Sequence, residues 1–78
     1  MNEKKIARIA YEACREWDKM NGHLVSVPWK DASQSVKDHA LETVQYHLAT
    51  PFSQLGDHRP TTHLFRAVVM TLTEEDSQ

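Results

Sequence analysis

Apolar residues recur over the first twenty positions with the spacing of an amphipathic helix. In the stretch IARIAYEACREW, one helix face carries Ile6, Ile9, Ala10, Ala13, Cys14 and Trp17. The stripe continues to Met20, Asn2 suits the N-cap position, and Gly22 follows the last turn. The pattern therefore predicts a first helix from about Asn2 to Met20.

The following stretch, HLVSVPWKDA, favours an extended path. Leu24, Val25 and Val27 prefer extended backbone, and Pro28 restricts the residue before it in the same direction. We expect Trp29 to fold back onto the core. Helical spacing resumes after Asp31 or Ser33, either of which can cap a second helix that ends near Ala49, before Pro51.

Two further apolar stripes complete the predicted core. In the second helix the stripe comprises Val36, Ala40, Leu41, Val44 and Leu48. In the loop PFSQLGDHRP, we expect Phe52 and Leu55 to attach to the core. Pro60 suits the first turn of a third helix that runs to about Leu72, with a stripe of Leu64, Phe65, Val68, Val69 and Leu72. The acidic tail, residues 73–78, is expected to be flexible.

These elements predict a single all-α domain over residues 1–78: three helices with a non-helical connection that contains Pro28-Trp29. A core of this size supplies only ~3–5 kcal/mol of net stability. Cys14 is the only cysteine, so a disulfide within the chain is excluded. Because Cys14 lies on the apolar stripe, we expect a buried, unreactive thiol.

Charge and composition exclude several classes of function. The net charge is −2 and no Lys/Arg block is present, so a nucleic acid polymer is not an expected partner. No apolar run reaches membrane-spanning length, and MNEKK lacks the apolar core of a signal peptide, so we expect a cytoplasmic protein without a membrane partner. The five histidines lack zinc-site spacing, and neither a metal nor a cofactor is predicted.

The polar side of the first helix raises the question of a site. Glu12, Arg15 and Glu16 lie three or four residues apart, next to Tyr11. At this spacing the side chains meet, either as a solvated ion pair or as a polar site. The chain contains no Gly-rich phosphate loop, nucleophile elbow or paired catalytic carboxylates, which favours a protein that is not an enzyme.

Four blocks of sequence, in order, resemble the small phage and bacterial versions of the ryanodine-receptor repeat (RyR) domain. They are IARIAYEACREW, Pro28-Trp29-Lys30-Asp31-Ala32, VQYHLATP and LFRAVVMTL, and they span most of residues 6–72. The resemblance implies a small helical module, often phage-encoded, that binds a ligand such as a nucleotide. The chain departs from the family pattern at Tyr11 and Cys14, where His and Asn are typical. Its middle segment is also shortened, and only FSQLGDHRP remains there.

On this resemblance we expect a binding module for a nucleotide-like or small anionic ligand, which could sequester a host defence signal. The expected ligand-binding residues are Tyr11, Glu12, Arg15, Trp29 and His47. Each has an alternative structural role: Trp29 as a core anchor, His47 as a half-buried histidine, and the others as helix surface. The alternative function is a protein-interaction module that inhibits a host or defence protein, and a homodimer also stays open.

Overall fold

The computed structural model describes residues 2–76 and contains three α-helices. They are α1 (Glu3–Met20), α2 (Gln34–Ala49) and α3 (Pro60–Asp76). Two short 3-10 turns, Trp29–Asp31 and Phe52–Gln54, precede α2 and α3, and the described part of the chain has no strand. The prediction of a small all-α, three-helix domain is confirmed.

The ends of α1 follow the predicted capping chemistry. The Asn2 side chain accepts a hydrogen bond from the Lys5 amide at 2.8 Å, which satisfies one of the free N–H groups of the first turn. Beyond Met20, Gly22 adopts a positive φ of 70°, a conformation that glycine tolerates best. The chain then enters a segment without regular secondary structure, residues 23–28.

The start of α2 resolves the choice between two caps. Ser33 is the N-cap, and its hydroxyl accepts a hydrogen bond from the Val36 amide at 3.3 Å. Asp31 instead ends the 3-10 turn that begins at Trp29. The serine is one residue before the first helical position, where its oxygen can reach the free amides.

The predicted buried stripe of α2 is wrong at both ends. Ala40 and Val44 are buried, but Val36 is 38% exposed and Leu48 is 41% exposed, and His47 is buried in place of Leu48. Helix geometry explains the exchange. At about 100° per residue, His47 lies only about 20° from Ala40 around the axis, whereas Leu48 lies about 80° away.

The third helix begins at Pro60 as predicted and continues to Asp76, past the expected end at Leu72. Residues 73–76 of the expected flexible tail therefore extend α3, and residues 77 and 78 lie outside the described part of the chain. In the loop before α3, Leu55 is buried as predicted. Phe52 is 53% exposed, so its predicted attachment to the core is wrong.

The core lies where α1 meets the other two helices. Its buried members are Ile6, Ala7, Ala10, Ala40, Val44 and Val69, with Trp29, Phe65, Val68 and Leu72 packed against them and partly buried. Two alanines on α1 let the neighbouring backbones approach closely. Trp17 is also only partly buried. Within residues 2–76, no helix has the length and apolar character needed to cross a bilayer.

Candidate functional site

The polar side of α1 holds in place the segment of residues 23–28 that leads toward α2, here called the connection. Arg15 Nε donates a hydrogen bond to the Ser26 carbonyl at 2.8 Å, and the Tyr11 hydroxyl donates to the Val27 carbonyl at 2.6 Å. Both acceptors are main-chain groups of a segment without regular secondary structure. Two side chains of α1 thus supply hydrogen bonds to this segment that a neighbouring strand would supply in a sheet.

Glu12 completes this arrangement at the end of the connection. Its Oε1 accepts a hydrogen bond from the Trp29 amide at 2.7 Å, and its Oε2 pairs with Arg15 Nη1 at 2.8 Å. The Trp29 amide, with help from Arg15, lowers the pKa of the Glu12 carboxyl, although partial burial acts against the shift. Glu16 is exposed on the same helix. The polar set therefore divides into a bonded group and a solvated residue.

The fixed connection places the Trp29 indole between two contacts. The Tyr11 ring meets it edge to face, with 5.4 Å between ring centroids. Lys37 Nζ lies 5.7 Å from the centroid of the same indole, within cation–π range. Trp29 is thus held by α1 and faces a cation supplied by α2.

Trp29 forms one wall of an open groove between the first half of α1 and the start of α2, here called the basic groove. Its volume is about 520 Å³, and its lining residues are Lys4, Lys5, Ala7, Arg8, Trp29, Gln34, Lys37, Asp38 and Leu41. Four of the nine Lys and Arg residues of the chain lie here. The carboxylate among these lining residues belongs to Asp38, and it accepts a hydrogen bond from the side-chain Nε2 of Gln34 at 2.9 Å.

His47 lies apart from the basic groove. It is only 2% exposed, and its ring stacks on Phe65 with 5.8 Å between centroids. Arg66 Nη1 lies 3.5 Å from His47 Nδ1 and donates to the carbonyls of His47 and Thr50 at 3.3 and 2.9 Å. Burial, and then the Arg66 charge, lower the pKa of His47. The neutral ring therefore presents Nδ1 as an acceptor toward the guanidinium.

A second groove, here called the central groove, lies among α1, α2 and the start of α3. Its volume is about 410 Å³, and both Tyr11 and His47 line it together with Cys14 and Phe65. The Cys14 thiol donates to the Thr61 carbonyl at 3.4 Å, and burial raises its pKa to about 11. A thiol with so high a pKa is a poor nucleophile at neutral pH, which agrees with the predicted unreactive role.

The structure thus brings four of the five expected ligand residues together around the connection, and the fifth, His47, shares only the central groove with Tyr11. Tyr11, Glu12, Arg15 and Trp29 meet around the connection, whereas His47 packs on Phe65. The cations of the basic groove are not among the predicted site residues. Lys4 and Arg8 are four residues apart, so helical spacing already placed them on one face of α1.

Comparison of the chain with protein-family models, curated proteins and solved structures finds no match. The resemblance to the RyR domain therefore stays a prediction. Among the described residues, no group of three or more His, Cys, Asp or Glu side chains could hold a metal ion. The chemistry of the basic groove is consequently argued from its own residues.

Proposed function

We propose that the protein is a non-enzymatic binding module whose basic groove takes a small anionic, nucleotide-like ligand. The observation that carries the proposal is the position of Trp29 in the wall of a groove with Lys4, Lys5, Arg8 and Lys37. The chain as a whole carries a net charge of −2, so this cluster is a local concentration of positive charge. Such a cluster attracts anions to one place on an otherwise acidic protein.

The two kinds of side chain suit the two parts of a nucleotide. The lysines and Arg8 can donate charge-assisted hydrogen bonds to a phosphate, and the arginine can do so through two nitrogens. The Trp29 indole offers an aromatic face for a base, in the manner of other single-base contacts. The main-chain amide of Trp29 donates a hydrogen bond to Glu12, and its indole contacts the Tyr11 ring. Glu12 and Tyr11 therefore position Trp29 in the groove wall.

Asp38 and Gln34 give the groove a further feature that supports a nucleotide over a bare anion. Their side chains are hydrogen-bonded to each other at the groove wall, where they present acceptors beside the cations. Acceptors of this kind pair with sugar hydroxyls or the amino group of a base. If the chain is phage-encoded, as its resemblance to RyR modules implies, such a module would sequester a nucleotide signal of host defence.

Calorimetric titration with AMP, GMP, adenosine and inorganic phosphate tests the proposal. We expect the nucleotides to bind best, with an affinity that falls as salt rises, because the phosphate contacts are electrostatic. Arg8→Ala and Lys37→Ala should each weaken binding about tenfold, equivalent to about 1.4 kcal/mol. Lys30→Ala is the matched control, because Lys30 is an exposed cation next to Trp29 that does not line the groove.

Two results would oppose the proposal. One is the absence of heat with either nucleotide at low salt. The other is an equal loss of affinity in Lys30→Ala and Arg8→Ala, because it would show that general charge and not the groove binds the ligand.

The second candidate function, inhibition of a host or defence protein, is favoured by the surface of the connection. Leu24 is 98% exposed, and Met20, Val25 and Val27 beside it are exposed as well. Exposed apolar side chains of this kind, on a segment whose main chain is held by α1, suit a protein partner. Leu24→Ser should abolish capture of such a partner and leave nucleotide binding unchanged, whereas Arg8→Ala should do the reverse.

A further inference from the structure

Two histidines meet at the start of α3, His58 in the loop before the helix and His63 in its first turn, and neither ring lines the basic or the central groove. His58 Nδ1 and His63 Nε2 are 3.0 Å apart. Phe52 contacts both rings, with centroid distances of 5.6 Å to His58 and 5.2 Å to His63. The exposed phenylalanine therefore packs on the imidazoles, which accounts for its position outside the core.

The loop between the two histidines is held in shape by its own contacts. Asp57 accepts hydrogen bonds from the Arg59 amide at 2.9 Å and from Arg59 Nε at 2.8 Å. Pro60 is the first residue of α3, and its ring fixes its own φ at a helical value. The His63 amide in turn donates to the Arg59 carbonyl at 3.1 Å. The two imidazoles are therefore carried by a short segment whose backbone is held by local hydrogen bonds.

We propose that His58 and His63 form a bidentate site for a divalent transition metal of square or octahedral geometry, with Cu²⁺ the preferred ion. Imidazole nitrogens ligate such metals at about 2.0–2.1 Å. Two nitrogens 3.0 Å apart then subtend an angle of roughly 95° at the metal. This is close to the right angle between neighbouring ligands that Cu²⁺ and Ni²⁺ favour.

The same distance disfavours zinc. A tetrahedral ion with bonds of this length needs its two nitrogens about 3.3–3.4 Å apart, so the pair would have to open. Cu²⁺ also stands above Ni²⁺ and Zn²⁺ in intrinsic affinity for nitrogen ligands. The two histidines leave the other coordination positions to water, because the described residues place no third ligand beside them.

Metal binding requires a proton shift in one ring and a rotation of the rings. Between two neutral imidazoles, one facing nitrogen carries a hydrogen and the other accepts it. To bind a metal, the donating ring moves its proton to its other nitrogen, so both facing nitrogens present lone pairs and no proton is lost. The lone pairs must also turn from each other toward a common point, a rotation that is open to the exposed His58 ring.

Titration of the untagged protein with CuCl₂, NiCl₂ and ZnCl₂ tests the site. We expect one Cu²⁺ per chain, with Zn²⁺ weakest, and an electron paramagnetic resonance spectrum that shows two nitrogen ligands. His58→Ala and His63→Ala should each weaken Cu²⁺ binding by about 10²-fold, because loss of either ligand abolishes the chelate. His39→Ala is the control, since His39 is an exposed histidine on α2.

Several outcomes would overturn the proposal. Wild-type Cu²⁺ affinity in either His58→Ala or His63→Ala would show that the pair does not chelate. An equal loss in His39→Ala would indicate scattered histidine binding. Tightest binding of Zn²⁺ would contradict the distance argument. Far-UV circular dichroism of each variant establishes that the fold is retained, and the nucleotide titrations above are independent of this site.

Discussion

Replacing Glu12 with Gln isolates the contribution of one carboxylate to the placement of the connection. The amide oxygen of Gln can still accept from the Trp29 amide, but as a neutral acceptor. Its NH₂ group is a neutral donor, so it cannot replace the carboxylate oxygen that accepts from Arg15. Hydrogen bonds to charged groups contribute about 1.5–3 kcal/mol, against about 0.5–1.5 kcal/mol for neutral ones. The half-buried ion pair with Arg15 adds about 0.2–1 kcal/mol. Taken together, these contributions predict that Glu12→Gln lowers the free energy of unfolding by about 1.5 kcal/mol.

Chemical denaturation in urea at pH 7, followed by circular dichroism, measures this loss. In a domain of this size it corresponds to a fall in Tm of about 6–12 °C. Glu16→Gln is the matched control, because Glu16 is exposed on the same helix, and it should change stability by less than about 0.5 kcal/mol. Trp fluorescence should change only in Glu12→Gln, since only that variant loosens Trp29.

The pH dependence of the same comparison supplies a second test. The folded pKa of Glu12 is lowered from its ordinary value of 4.5, so its stabilising effect is present above that pH. The effect is lost as the pH falls through the folded pKa, and the gap between wild type and Glu12→Gln should close. Equal stability of Glu12→Gln and Glu16→Gln at pH 7 would refute the assigned role of this carboxylate.

Three further outcomes follow from individual contacts. Phe65→Ala should lower the free energy of unfolding by about 3 kcal/mol, because it opens a gap beside the core; a loss under about 1 kcal/mol in urea denaturation would contradict that packing. Cys14, with its pKa raised to about 11, should react with iodoacetamide at pH 8 far more slowly in the folded chain than in urea, and equal rates would argue against its burial. Hydrogen bonds from Arg59 lower the pKa of Asp57 from 3.8 to about 2, so the difference in Tm between wild type and Asp57→Asn should be full above pH 4 and be lost as the pH falls through about 2; a difference that keeps its full size at pH 2 would exclude this cause.

Local signals predicted the helices well. Asn2 and Ser33 act at short range on amides three residues ahead, and Pro60 acts on its own backbone. Such effects depend on neighbours in the chain and can be seen in the order of residues. The end of α3 was missed because Thr73 and the acidic residues after it form no recognisable stop signal.

The roles of the polar residues depended on contacts that sequence order does not show. Glu12 and Arg15 were recognised as a pair, but their bonds to Trp29 and Ser26 join residues 17 and 11 positions apart. His47 was expected as a ligand contact or a half-buried histidine, and it is buried. Its angular position, close to Ala40, was available from helix geometry alone.

Helix α1 holds the connection through hydrogen bonds to its main chain, and this determines which of its side chains can be replaced. Arg15 and Tyr11 bind the carbonyl oxygens of Ser26 and Val27, which every amino acid possesses. Side chains at Leu24 and its neighbours can therefore be exchanged without disturbing the path of the segment, as long as the residues on α1 are kept. The fold in effect offers a display loop on a rigid helix, a place where short foreign sequences can be grafted and selected for new binding.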